Sequence, residues 1–350
     1  MKRDTGFSLI ELLVAMSVTL IVVAGTLTML DQGRRTSEGI SLTSNTLQNL
    51  RASMNYITRD LVQAGQGLPT GGISIPSGAG VPVNRPGPGN LTFGAAPNFF
   101  TAIPVVTTGG LLGPNIMRPS DIITVMYADN SLTLNQNVIN DPVGPPICNG
   151  TIDPNGAFVN FDINCDPLGA APGQQNIQAG DLLLFSNNQG NALETVTTIA
   201  GQTLNFATGD AYNLNQRTDP AGTLKQIQTP IGSGNYPPTT ATRITMITYY
   251  LDNSQPGNPR LMRQINFNAP MAVAEGIEDL QYSYDFVDGA TNPADQKDPP
   301  AGLSANQIQN VNVFVAGRSA APYSQTGQFY RNNLSTKVSP RSLVFFNRYN

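Results

Sequence analysis

Residues Phe7 to Leu30 form a run of 24 residues with a single charged side chain, Glu11. No other stretch limits the fold as strongly. As a helix rising about 1.5 Å per residue the run is about 36 Å long, enough to cross a hydrocarbon core of about 30 Å with some tilt. Its flanks are basic on both sides, Lys2 and Arg3 before it and Arg34 and Arg35 after it, so charge bias alone sets no orientation. The run is too long for the apolar region of an ordinary secretory signal, and the small-x-small triplet Ala15–Ser17 would divide it. A plain anchor explains the length but not a carboxylate inside it, nor the glycine just before it.

Helical periodicity continues past the apolar run. Ile40, Thr43, Leu47, Leu50, Met54, Ile57 and Leu61 are spaced alternately three and four apart, which makes one apolar stripe. Arg51, Asn55, Arg59 and Asp60 fall between them and read as a wet face. Ala64–Gly65, then Gly67 and Pro69, is a stop signal. The spacing predicts a helix from about Ser8 to about Ala64, with weak points near Gly33 and Gly39. The stripe fits packing on the chain's own sheet, and a two-chain coiled coil shares the pattern.

The rest reads as β-structure with long loops. Charged residues make up 12% of the chain, about half the usual share of roughly 25%, and it holds 34 Gly and 27 Pro. Residues 69–120 read as an extended, surface-laid loop. Strand-like runs follow at Asp121–Ala128, Asp181–Asn187, Ala192–Ala200, Gln202–Phe206, Arg243–Asp252, Arg260–Phe267, Ile277–Phe286, Val311–Arg318 and Ser342–Tyr349. No second long helix is expected.

Composition also narrows the chemistry. With no histidine, a Ser–His–Asp or Cys–His triad and the histidine-containing zinc patterns are excluded. No Walker or Rossmann glycine pattern occurs, so no cofactor is expected. The net charge of −4 and the lack of a basic patch give no support for nucleic-acid binding. Glu278 and Asp279 are neighbours in a strand and point to opposite faces, which excludes a glycosidase pair. Tyr249, Tyr250, Tyr282 and Tyr284 read as sheet packing. Cys148 and Cys165 are the only cysteines. If the head is extracytoplasmic, a disulfide is favoured over a metal pair or a reactive thiol. Asp153, Asn155 and Asp162 in the same loop offer oxygens to Ca²⁺ but miss the EF-hand spacing, and turn formation is the commoner use.

Gly6, Phe7, Ser8, Leu9, Ile10, Glu11, Leu12 and Leu13 together resemble the type IV prepilin signal: a short basic leader ending in Gly, then Phe, then Glu at the fifth mature position. The resemblance implies cleavage between Gly6 and Phe7 by a prepilin peptidase, N-methylation of Phe7, and a role for Glu11 in recruiting the subunit to its neighbours. Cleavage creates an amino group one turn from Glu11, and a buried charge is tolerable when paired. "NYITRDLVQAG" (Asn55–Gly65) resembles the helix end of PilW-like minor pilins and of J-type pseudopilins. Asp181–Asn187, Tyr249–Arg263, Val273–Tyr284, Val311–Ser319 and Pro340–Arg348 resemble PilW-like strands in order and type, although Arg341–Ser342 departs from the usual Arg-Asn ending. The implied fold is α+β and pilin-like, a long N-terminal helix on a large antiparallel β-rich head with long loops. The implied parts are a leader (1–6), a transmembrane and assembly helix (7–30), an amphipathic continuation (31–65) and an extracytoplasmic head (66–350). The implied function is that of a minor pilin initiating or capping a type IV pilus, with a J-type pseudopilin as the alternative and an anchored enzyme or binding protein as a remoter one. Its partners would be the prepilin peptidase, other pilins and the inner membrane, from which the subunit passes to the fibre.

Overall fold

The computed structural model describes residues 8–69, 72–76, 82–89, 91–93, 99–100, 103, 120–129, 138–139, 150–161, 177–217, 222–228, 237–255 and 257–342. Leu9–Gln63 is one uninterrupted helix, α1, of 55 residues. It starts where Ser8 is extended and Glu11 returns to the Ser8 amide, and it stops where Gly65 and Gly67 take positive φ (82° and 70°). The exit is stitched to the head: Gly65 N–H donates to Met126 O at 2.8 Å, and Ala128 N–H to Gln66 O at 2.7 Å.

Among the described residues the strands are β1 (Ile73–Ser74), β2 (Phe99–Phe100), β3 (Ile123–Ala128), β4 (Val138–Ile139), β5 (Gly150–Ile152), β6 (Phe158–Phe161), β7 (Leu182–Asn187), β8 (Gly190–Thr195), β9 (Thr198–Ala200), β10 (Thr203–Asn205), β11 (Thr239–Asp252), β12 (Arg260–Ile265), β13 (Met271–Glu275), β14 (Ile277–Phe286), β15 (Ile308–Pro322) and β16 (Phe329–Val338). A second helix, α2 (Leu224–Ile227), is a single turn. All strand pairs are antiparallel. The spine is β11, paired with β7 and β12 along one edge and with β3 and β4 along the other. A separate sheet runs β14-β15-β16, a small one runs β5-β6-β10-β9, and β1 pairs with β2. This is the α+β, pilin-like arrangement expected from the sequence.

The helix lies between sheets. Leu50, Ile57, Leu61 and Ala64 are buried with Val125 of β3, Ile247 and Leu251 of β11, Leu280 of β14, and Val311, Val313 and Val315 of β15. Close approach at this seam needs glycine. A Cβ on Gly276 (φ +71°) would stand 2.5 Å from Arg318 O, and one on Gly317 would stand 2.8 Å from Gly276 O and 3.3 Å from Leu50 Cδ2. The spine sheet is covered on both faces. Leu183 and Phe185 pack with Val159, Leu204 and Phe206, while Leu182 and Leu184 pack with Ile73, Tyr212 and Met246. Two-sided burial is why β7 reads as a continuous apolar run rather than an alternation.

Four expectations need correction. Ile40 sits on the stripe but is 66% exposed, because the head does not reach it. Asp60 is buried rather than wet. The Gly- and Pro-rich stretch from Pro69 is not wholly surface-laid: Ile73, Val83, Arg85 and Phe93 are buried, and Asn84 and Thr92 form a bridge. Burial lowers the Arg85 guanidinium pKa to about 10. The run Ala192–Ala200 is two strands, β8 and β9, in different sheets. The final run, Ser342–Tyr349, lies almost wholly outside the described residues.

One buried group makes the head pH-sensitive. Glu194 on β8 is 2% exposed, and its Oε1 accepts the Leu224 N–H at 2.9 Å. Burial, reinforced by the Asp210 charge, pushes its carboxyl well above the ordinary value of 4.5. A raised folded value means that its contribution is fully present below 4.5 and is lost as pH rises toward that value. Glu194→Gln, which keeps the acceptor, is therefore expected to be more stable than the native chain above pH ~5. The gap should widen by ~1.4 kcal/mol for each unit of pH until the folded group ionises. Urea unfolding at pH 4, 6 and 8 checks this, and equal curves at all three would contradict it.

Candidate functional site

The functional candidates lie at the two ends of α1. At the N-terminal end, every described residue from Ser8 to Ser37 is exposed. This part of the helix is long and apolar enough to cross a membrane, and none of its apolar window is buried by the head. The hydroxyls within it are satisfied locally: Ser17, Thr19 and Thr28 donate to the carbonyls of Leu13, Ala15 and Ala24. Hydroxyl-bearing residues therefore cost little in an apolar surrounding. Glu11 is the exception. Its Oε2 accepts the Ser8 N–H at 3.1 Å, which aims the carboxylate back along the chain toward the Phe7–Ser8 peptide. Gly6 and Phe7 lie outside the described residues, as do Cys148, Cys165 and Asp162. Asp153 is described. Its Oδ2 accepts the amides of Asn155 and Ala157 at 3.1 and 3.0 Å, closing the turn between β5 and β6.

At the other end, the helix is locked to the spine sheet. Asp60 Oδ2 accepts the Tyr249 hydroxyl at 2.6 Å and Arg263 Nε at 2.7 Å, and Oδ1 accepts Arg59 Nε at 3.2 Å. The Asp60 and Arg263 side chains are 1% and 8% exposed, so this pair is shielded from water, while Arg59 is mostly exposed and lies over the Tyr56 ring. Burial, then the Asp60 charge and hydrogen bond, push the Tyr249 phenol up, so it donates at any physiological pH. For Arg263 burial alone would lower the pKa. The Asp60 contacts outweigh that and leave it raised.

Reading the sequence missed this triad, although two signals were present. Asp60 stands three residues after Ile57 and one before Leu61, on the buried flank of the stripe. Arg263 interrupts a strand that is otherwise apolar on that side. Lower on the helix a second tie appears. Glu38 Oε2 accepts the Ser324 hydroxyl at 2.7 Å, and Tyr323 stands beside Gly39, at the turn between β15 and β16. Together the ties fix where the helix leaves the head.

Residues 1–27 match the family model of the prokaryotic N-terminal methylation motif. The motif supports a type IV pilin-like protein. It covers Gly6, Phe7, Glu11 and the first part of the exposed helix. It implies processing by prepilin peptidase and assembly through a membrane-embedded N-terminal helix. Proteins carrying this motif are structural rather than enzymatic. No curated protein and no solved structure matches the chain.

Removing one member of the buried triad leaves the other charge without compensation, which usually costs ~3–5 kcal/mol. Asp60→Ala is expected to lose stability on that scale. Asp60→Leu combined with Arg263→Met should recover most of it, because neither charge is then stranded. Chemical unfolding of the full-length chain and both variants in micelles tests this. A loss of under ~1 kcal/mol for Asp60→Ala would show that the triad does not hold the helix.

Proposed function

We propose that the chain is a minor pilin, a structural subunit that helps to initiate or cap a type IV pilus. The supporting observation is the join between the two halves of α1. The methylation motif leads without a break into an exposed apolar helix, and the same helix then becomes the central element of the head's core. A helix so divided suits a subunit that is held in the inner membrane by one half and withdrawn into a fibre of similar helices, carrying its head along.

In this reading a prepilin peptidase cuts between Gly6 and Phe7 and methylates the new terminus. Glu11 then meets an amine, either that of Phe7 in its own chain or that of a neighbouring subunit. Its hold on the Ser8 amide favours this, because the carboxylate is already turned toward the cut end. Outside the cytoplasm, Cys148 and Cys165 form a disulfide. The 350-residue length favours the pilin over a J-type pseudopilin, which is usually much shorter.

Mass spectrometry of the chain recovered from sheared pili is expected to give a terminal N-methyl-Phe7 and no free thiol. Gly6→Ala should leave the leader attached and the chain absent from the pilus fraction. Glu11→Ala should be processed normally yet recovered in that fraction at least ~10-fold less. An unprocessed Met1 in native pili, or normal incorporation of Glu11→Ala, would overturn the reading. Recovery with a secretion apparatus instead of pili would transfer the chain to the pseudopilins.

A further inference from the structure

The β14-β15-β16 sheet has one face on α1 and one turned away from it. On the helix side Leu280, Tyr282, Val311, Val313 and Val315 are buried. Strand alternation puts Gln281 and Ser283, Asn312 and Phe314, and Ser335 and Lys337 on the opposite face. The register places Gln281, Phe314 and Ser335 in one cross-strand row, and Ser283, Asn312 and Lys337 in the next. Over these rows lies an open cleft of about 550 Å³, walled on one side by the segment carrying Asp295 and Lys297. That volume is within the usual range for small-molecule sites, roughly 300–1,000 Å³.

The chemistry of the cleft is specific. Its lysines are already balanced from behind. Lys297 Nζ bonds Asp121 Oδ2 at 2.8 Å and Gln281 Oε1 at 3.0 Å, and Lys337 Nζ bonds Asp285 Oδ2 at 2.7 Å. The carboxylates are nearly buried, with 1% and 10% of their side chains exposed. One carboxylate at the wall, Asp295, accepts the Ser283 hydroxyl and has no ion-pair partner among the described residues, so the opening disfavours an anionic ligand. The amide of Asn312 is held by Asp285 Oδ1 at 2.9 Å and Ser283 Oγ at 3.3 Å, which fixes its orientation and turns its carbonyl oxygen into an acceptor of set direction. The Ser335 hydroxyl both donates and accepts, and the ammonium of Lys337 keeps donors beyond the one Asp285 uses. Among them lies the half-buried ring of Phe314.

We infer that this cleft binds a neutral pyranose saccharide, one ring face stacked on Phe314 and the hydroxyls hydrogen-bonded to Asn312, Ser335 and Lys337. A sugar offers this combination: an apolar C–H face for an aromatic face, and hydroxyls that accept from the ammonium and donate to the amide oxygen. Asn312 and Lys337 are held by bonds within the protein before any ligand arrives, which lowers the ordering cost. The site does not depend on the fibre reading. If that reading holds, the cleft lies on the side of the sheet turned away from the assembly helix.

Saturation-transfer NMR on the full-length chain in a sugar-free zwitterionic detergent, with lactose, N,N′-diacetylchitobiose and a sulfated heparin tetrasaccharide as probes, tests the inference. At least one neutral disaccharide is expected to bind, with Kd on the order of 1 mM. Phe314→Ala should weaken it about tenfold or more, Phe314→Trp should keep it, and Ser335→Ala should weaken it about threefold. If Phe314→Ala does not fold, Asn312→Ala takes its place with the same expectation. Binding of the sulfated probe alone, binding by none of the three, or equal binding by wild type and the Ala variant would each overturn the inference. None of these readouts depends on leader cleavage or pilus incorporation, so failure here leaves the pilin proposal standing, and the reverse also holds.

Discussion

The head depends on a helix that is only half its own. Leu50, Ile57, Leu61 and Ala64 fill the space between the β11 spine and the β14-β15-β16 sheet, and without them two apolar sheet faces would meet water. Leu50, Ile57 and Leu61, fully buried there, are each worth about 1.5–3 kcal/mol, so the helix is structural to the head rather than an attached stalk. The buried Asp60–Arg263–Tyr249 group adds direction rather than much net energy. A buried ion pair often gives little over an apolar equivalent, but it accepts only one rotation and one height of the helix against the sheet. Together these features make α1 a shared element, whose exposed half is held in a fixed relation to the head.

How much of this could be read beforehand follows the physics of each segment. The helix was legible because periodicity and a Gly stop are local signals. Strands β3, β7, β11, β12, β14 and β15 were legible because β-branched and aromatic residues concentrate there. Strand β16 was not. "FYRNNLSTKV" has a polar outer row and few β-formers, and it becomes a strand only through its pairing with β15 and the cover of α1. Strand β13, "MAVAE", is short, alanine-rich and mostly exposed, so no pattern marks it either. Asp60 was misread because a carboxylate is normally a surface group. Its burial depends on Arg263, 203 positions away, and no local rule connects them. The Gly- and Pro-rich stretch misled for a related reason. Composition reports that a segment is irregular, not whether it lies on or under the surface, and Arg85 and Phe93 lie under it.

The candidate sites differ in the same way. The N-terminal one is a linear signal, and Glu11 stood out from eleven residues of sequence. The outer cleft of the β14-β15-β16 sheet is assembled from three strands whose paired residues run from Gln281 to Ser335, and its residues are individually ordinary surface types. Only register brings Gln281, Phe314 and Ser335 into one row. Sites read through cross-strand rows are invisible to a linear search, whereas processing signals, which an enzyme must read on an unfolded end, are linear by necessity.

The course of β15 relative to α1 has a mechanical consequence. Gly317 meets the helix near Leu50 and Tyr323 meets it near Gly39, so the strand runs against the helix and nearly along it. Tension on the apolar half therefore pulls parallel to the β14-β15-β16 ladder. Loaded that way, the hydrogen bonds resist together as a sheared block, whereas a crosswise pull would peel them one at a time. The Glu38 tie takes the load first and the Asp60 triad, at the far end, takes it last. A pull on the exposed half of α1 would thus load the head in shear rather than strand by strand.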